Sequence, residues 1–160
     1  MQKTLRFTFV NSLLVFVSAF ILTTVIHESG HFIAYAVFGA QPILFHNYVQ
    51  ADSHNLNTLV VIIAALAGPG FSLLQGLLFW IFSVKKAGNN LTSLFSLWMS
   101  IRGFINFFGY LMLTPLSTAG DTGKVAQLIN MPYAFRILIA VAGVGILIFI
   151  VLKLGKNYSN

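Results

Sequence analysis

The chain has 160 residues, of which 58% are hydrophobic and 8% are charged, against about 25% charged in a typical soluble domain. This composition excludes a disordered chain, a coiled coil and an ordinary soluble domain. The net charge is +6, but the basic residues are spread along the chain and form no single basic face, which argues against nucleic-acid binding. We therefore expect one polytopic membrane domain over residues 1–160, embedded in a lipid bilayer.

Four apolar segments are each long enough to cross a membrane, which needs about 20 residues. They predict an all-α membrane protein with helices near residues 8–38, 57–83, 91–113 and 133–153. Between the first two helices, segment 42–49 is short and rich in aromatic and β-branched residues. Such a segment indicates a short β-hairpin or re-entrant loop at the membrane face.

The distribution of basic residues predicts the orientation of the chain. Six of them flank the ends of the apolar segments that would share one side of the membrane: Lys3, Arg6, Lys85, Lys86, Lys153 and Lys156. Only Lys124 and Arg136 would fall on the other side. Because Lys and Arg are enriched in cytoplasmic loops, this bias predicts a multi-pass protein of the cell membrane with both termini in the cytoplasm.

The first helix carries the sequence His27-Glu28-Ser29-Gly30-His31, an H-E-x-x-H motif. Residues four apart share a helix face, so the two imidazoles can hold one metal ion together. Glu28 is rotated by roughly 100° from His27, which lets it act as a general base without being a ligand. The motif therefore predicts a catalytic metal site. The alternative is a pair of polar residues that joins helices by hydrogen bonds.

A catalytic zinc ion usually has three protein ligands, so a third must come from another part of the chain. The candidates are Asp121, Asp52, His46 and His54, and the remaining alternative is a site completed by water alone. Topology favours Asp121, because the first and third helices both run outward and Asp121 follows the end of the third. We expect one zinc ion per chain. The alternative role of Asp121 is that of an N-cap for a helix that follows it.

Two further polar residues lie in the third apolar segment. Arg102 precedes Asn106 by four residues, so the two share a helix face. An arginine at this depth is expected to face the bundle interior or a water-filled cavity. Its expected partner there is a backbone carbonyl or a carboxylate of the motif, and we interpret its role as structural.

These motifs resemble those of the site-2 protease group of intramembrane zinc metalloproteases. The resemblance covers roughly residues 20–130 and rests on three elements in the family's order. They are the H-E-x-G-H motif followed by Gly39, the A-G-P sequence at Ala67-Gly68-Pro69, and the series Asn106, Pro115, Asp121 and Gly123. Ser72 stands where the family often has Asn.

The resemblance implies that His27, His31 and Asp121 bind zinc and that Glu28 is the catalytic acid/base. It places Asn106 near the site as a substrate or oxyanion contact. The implied activity is hydrolysis of a peptide bond in or near a transmembrane segment of a membrane protein substrate.

Because helical peptide bonds are protected, the substrate must unwind, and segment 42–49 is expected to pair with it as an added strand. Two alternatives stay open: a catalytically inactive relative that binds or regulates another membrane protein, and a small metal or proton transporter.

Overall fold

The computed structural model describes residues 2–52, 56–85 and 91–159. Within these ranges the chain forms five helices and one two-stranded sheet. Their order is α1 (Gln2–Val37), β1 (Ile43–Leu44), β2 (Val49–Gln50), α2 (Thr58–Lys85), α3 (Leu91–Leu113), α4 (Asp121–Leu128) and α5 (Tyr133–Ser159). The predicted helical architecture is confirmed. The predicted hairpin is also present, because β1 and β2 pair antiparallel, with Ile43 opposite Gln50.

Three helices of the described chain are long and apolar enough to cross a membrane, over Phe9–Val37, Thr58–Ser83 and Tyr133–Lys156. α3 has the bounds predicted for the remaining span but is not among these candidates. It carries Arg102 and Asn106 in addition to several serines, which lower its hydropathy. A membrane crossing by α3 therefore stays a prediction.

Several helix ends differ from those predicted. α1 begins at Gln2 and α5 continues to Ser159, beyond the apolar segments that marked them in the sequence. Hydropathy detects the part of a helix that suits lipid, whereas helical hydrogen bonding continues through the polar residues that flank it. α4 is a short additional helix, and Asn130, with a positive φ of 51°, follows its C-cap.

α3 packs against α1, α2 and α5. The main apolar cluster joins Leu97, Phe104 and Phe108 of α3 to Ile150 and Leu154 of α5. The backbones of α2 and α3 approach closely, as small residues allow between membrane helices. A Cβ added at Gly103 would lie 2.6 Å from the backbone nitrogen of Gly76. This packing fixes the C-terminal end of α3 beside the second half of α1.

Candidate metal centre

The structure brings the two motif histidines together with the aspartate that begins α4. His27 Nε2 lies 3.0 Å from Asp121 Oδ2, and His31 Nε2 lies 3.3 Å from the same oxygen. The two Nε2 atoms are 3.1 Å apart. Both histidines are buried, and Asp121 is 22% exposed. Three atoms with lone pairs therefore form a compact triangle beside the second half of α1.

The dimensions of this triangle suit a metal ion. Ligand atoms about 2.0–2.1 Å from a tetrahedral zinc ion lie about 3.3 Å from one another. The three separations found here, 3.0, 3.1 and 3.3 Å, are close to that value. His27, His31 and Asp121 therefore lie close enough together to bind one metal ion.

The other nitrogen of each imidazole has a partner that fixes the tautomer. His31 Nδ1 lies 2.7 Å from the carbonyl oxygen of Ala64, which can only accept a hydrogen bond. Nδ1 of the neutral ring must then carry the hydrogen, which leaves the lone pair on Nε2. An imidazole that donates through one nitrogen and faces the metal with the other is the usual arrangement in metal sites.

His27 is oriented by a hydroxyl from α2. Its Nδ1 lies 3.2 Å from Ser72 Oγ, which is itself 3.0 Å from Asn106 Oδ1 and 3.2 Å from the carbonyl oxygen of Gly68. Ser72 has one hydrogen, and both of these oxygens are acceptors for it. Ser72 Oγ therefore accepts the hydrogen of His27 Nδ1, and the Nε2 lone pair again points toward Asp121.

Asp121 is held in position by contacts between α4 and the end of α3. Thr122 Oγ1 donates to the carbonyl oxygen of Tyr110 at 2.6 Å, and Thr114 Oγ1 donates to Thr122 at 2.8 Å. A Cβ at Gly123 would overlap the carbonyl oxygen of Ser117, so α4 lies directly against the loop before it. The start of α4, and with it Asp121, is therefore anchored to α3.

The electrostatics of Asp121 favour its anionic form. Burial alone would raise the pKa of this carboxyl. In the metal-free site, where a ring hydrogen on Nε2 and not a lone pair faces Oδ2, the hydrogen bonds with His27 and His31 outweigh burial and lower the pKa to about 2. Asp121 is consequently ionised at neutral pH. A carboxylate must be deprotonated to act as a metal ligand, so this state suits the site.

An aromatic ring covers the outer face of one ligand. Tyr110 of α3 stacks on the imidazole of His27, with ring centroids 4.9 Å apart and planes 9° from parallel. The ring of His27 is thus fixed by Tyr110 on its face and by Ser72 at its edge. These contacts leave it little freedom to rotate away from His31 and Asp121.

A cavity of about 290 Å³ opens beside the three ligands. Glu28 lines it and has no hydrogen-bond partner among the residues that the structure describes. The hairpin contributes Asn47, Tyr48 and Val49 to the wall, and Lys124 lines it from α4. The cavity therefore offers space, an unpaired carboxylate and a strand edge next to the metal ligands.

The remaining predicted site residues lie elsewhere. His46 and Asp52 do not belong to the ligand group within the described chain, and His54 lies outside the described residues. Asn106 contacts Ser72 behind His27 and is not among the cavity-lining residues, and its contact with a substrate or oxyanion stays a prediction. The alternative N-cap role of Asp121 is wrong, because the N-cap of α4 is Gly120.

Three features of the site were not predicted from the sequence. In the sequence Ser72 stands where the resembling family often has Asn, but its contact with His27 depends on how α1 and α2 pack. The stacking of Tyr110 and the position of Lys124 have no signal in the local sequence. The contacts of Ser72 and Tyr110 with His27 depend on the packing of helices that are distant in the chain. Lys124 follows Asp121 by about one turn of α4, a short polar helix that hydropathy does not mark.

No protein-family model, no curated protein and no solved structure matches this chain. The functional conclusion therefore comes from the residues of the site themselves.

Proposed function

We propose that this chain is an intramembrane zinc metalloendopeptidase that hydrolyses a peptide bond in or near a transmembrane segment of another membrane protein. The observation that carries the proposal is the convergence of His27, His31 and Asp121 beside a cavity lined by Glu28. Two neutral imidazoles and one carboxylate form a ligand set that is known from catalytic zinc sites, and an unpaired carboxylate nearby is the base that such sites use.

In the proposed topology α3 is the fourth membrane span. Its packing against α1, α2 and α5, three helices that are long and apolar enough to cross a membrane, supports this assignment. An even number of spans places both termini on one side, and the charge bias assigns that side to the cytoplasm. The metal site then lies toward the outer face of the membrane.

His27, His31 and Asp121 would hold the metal, with Ser72 and the Ala64 carbonyl keeping the imidazoles oriented. A bound zinc ion supplies Lewis acidity, which promotes attack by water on a peptide carbonyl near neutral pH. Glu28 accepts the proton of the attacking water and returns it to the leaving amine. Because Glu28 lines the cavity, it can reach both groups from one position.

The hairpin supplies a surface for an unwound substrate. Tyr48 stacks on Phe45 with ring centroids 4.4 Å apart, which stiffens the turn, and Val49 of β2 lines the cavity. A two-stranded sheet has unpaired backbone groups at its outer edges. An extended peptide that adds to this edge would present its backbone beside Glu28.

The test compares wild-type protein with Glu28→Gln, which keeps the shape of the side chain but cannot act as a base. Both proteins are reconstituted in liposomes with single-span peptides, and cleavage is followed by mass spectrometry. We expect Glu28→Gln to retain about one zinc per chain and to lose cleavage by a factor of about 100–10,000.

Equal processing by wild type and Glu28→Gln would overturn the proposal. Absence of cleavage in both, with zinc retained, would favour the inactive relative. Zinc or proton flux into liposomes that depends on His27 and His31 would instead favour a transporter.

A further inference from the structure

Arg102 lies near the middle of the helical bundle. Its neighbour Gly103 contacts the backbone of α2 at Gly76 and Ser72. The guanidinium lies over the ring of Phe20, which is close to the middle of the apolar span of α1. The charge of Arg102 is therefore far from both ends of the helices that surround it.

This guanidinium has no polar partner in the part of the chain that the structure describes. Arg102 makes no hydrogen bond or ion pair with any residue that the structure describes, and its Nε is buried without an acceptor. Neither partner expected from the sequence, a backbone carbonyl or a motif carboxylate, contacts the guanidinium within residues 2–52, 56–85 and 91–159. A charge at the centre of a membrane helix costs about 2.5–3.5 kcal/mol or more, so an unpaired arginine indicates a missing contact.

The aromatic rings beside Arg102 stabilise its charge but do not supply acceptors for its hydrogen bonds. The Cζ atom lies 4.6 Å from the ring centre of Phe20 and 5.8 Å from that of Phe16. Rings in this position stabilise the cation through its flat face. The five N–H donors of a guanidinium lie in its plane and still need oxygen acceptors.

An apolar groove runs beside Arg102 between α1 and α3. It has a volume of about 250 Å³ and is lined by Phe9, Ser12, Leu13, Phe16 and Trp98. Trp98 precedes Arg102 by one helical turn, and Phe16 both lines the groove and contacts the guanidinium. Leu13 and Phe20 are about half exposed, at 50% and 47%. The lining itself is apolar apart from Ser12, and the guanidinium of Arg102 lies next to the groove, in contact with its lining residue Phe16.

We propose that this groove binds a transmembrane helix of a partner protein, and that an Asp or Glu near the middle of that helix pairs with Arg102. A membrane segment that meets a groove at this depth must be helical, because its backbone has to be hydrogen-bonded internally. A carboxylate accepts two parallel hydrogen bonds from a guanidinium, which supplies the acceptors that Arg102 lacks.

The observations disfavour two other occupants. A second copy of this chain offers no suitable acid, because Glu28 and Asp121 belong to the metal site and Asp52 lies in the segment between β2 and α2. Lipid phosphates lie about 15 Å from the middle of the bilayer, beyond the reach of an arginine side chain at that depth. The proposal does not depend on proteolysis.

Trp98 provides a direct measurement of binding. The chain has two tryptophans, so Trp80→Phe leaves Trp98 as the sole indole, inside the groove. This protein is reconstituted in phosphatidylcholine vesicles and titrated with dansyl-labelled Leu/Ala helices that carry Glu or Gln at the central position. Energy transfer from Trp98 to dansyl reports docking.

We expect the Glu helix to saturate energy transfer at a peptide-to-lipid ratio about tenfold or more below that of the Gln helix. Arg102→Met, in the same Trp80→Phe background, should remove the difference between the two peptides. Circular dichroism and thermal unfolding of the variant serve as the check that its bundle is folded.

Equal titration curves for the Glu and Gln helices with unaltered Arg102 would overturn the proposal, and this comparison needs no substitution of the arginine. Retention of the Glu preference by folded Arg102→Met would overturn it as well. A third arm replaces the peptides with phosphatidylglycerol. A change in Trp98 emission that depends on this lipid and on Arg102, without peptide binding, would assign the groove to an anionic lipid instead.

Discussion

Gly68 of α2 lies directly against the imidazole of His31 in α1. A Cβ added at Gly68 would overlap His31 Nε2 and would lie 2.8 Å from His27 Nε2. The two helices can therefore enclose both imidazoles only because residue 68 has no side chain. The glycine of the A-G-P sequence acts at the candidate metal ligands themselves, in addition to allowing close helix packing.

We expect Gly68→Ala to lower zinc affinity by a factor of about 10–100, because the new methyl group displaces the imidazoles from Asp121. The measurement is competition for zinc with a chelator in detergent. Gly70→Ala is the matched control, since a Cβ at that position meets nothing within 4 Å. Equal zinc affinity of the two variants would contradict the packing seen at Gly68.

A second prediction concerns the hydroxyl that orients His27. Ser72→Ala removes the acceptor of His27 Nδ1 and leaves a buried N–H unpaired. Loss of such an outer contact typically weakens a metal site by about 10–100-fold, and we expect an effect of this size on zinc affinity.

Ser100→Ala is the control for Ser72→Ala. Ser100 Oγ donates to the carbonyl oxygen of Gly76, so its removal also breaks a buried hydrogen bond between α3 and α2. This hydrogen bond involves neither histidine, so its loss should lower stability while zinc affinity is unchanged. If both variants bind zinc equally well, Ser72 has no role in positioning His27.

The sequence allowed much of the site to be predicted. The spacing of His27 and His31 sets both on one helix face whatever the tertiary structure. Asp121 followed from the shared direction of two helices, which brings their C-terminal ends to the same side. The pairing in the hairpin followed from local composition. Each of these features depends on one element or on the order of elements.

Other features depend on how helix faces meet, which a single sequence does not encode locally. Asn106 shares a helix with Tyr110, yet Asn106 contacts Ser72 while Tyr110 lines the cavity. Residues four apart share a helix face, so this spacing alone could not show that Asn106 contacts α2 while Tyr110 lines the cavity. Arg102 was expected to find an oxygen acceptor, and it lies over Phe20 instead because the packing of α1 against α3 places a ring there.

A third prediction tests the contact between α2 and α3. Gly103→Ala would put a methyl group 2.6 Å from backbone atoms of Ser72 and Gly76, and neither backbone can move independently of its helix. Overpacking of this kind costs about 1–3 kcal/mol of stability. Gly109→Ala, on the same helix and with open space at its Cβ, should be neutral or slightly stabilising. Thermal unfolding in detergent compares the two, and similar transition temperatures would contradict the close approach.

The last prediction separates the candidate third ligands. Asp121→Asn keeps the size of the side chain but removes the negative charge that faces both imidazoles at 3.0 and 3.3 Å. A neutral amide is a much poorer ligand for zinc than a carboxylate, so we expect Asp121→Asn to lower zinc affinity by a factor of about 10–100 or more.

His46→Ala and Asp52→Asn should retain the zinc affinity of the wild type, because neither residue belongs to the ligand group of the described chain. His54→Ala completes the set of alternatives. Chelator competition on all four variants identifies the ligand directly. Full zinc affinity in Asp121→Asn, with a loss in one of the three loop variants, would transfer the third position to that residue and would contradict the site geometry on which the proposed hydrolase depends.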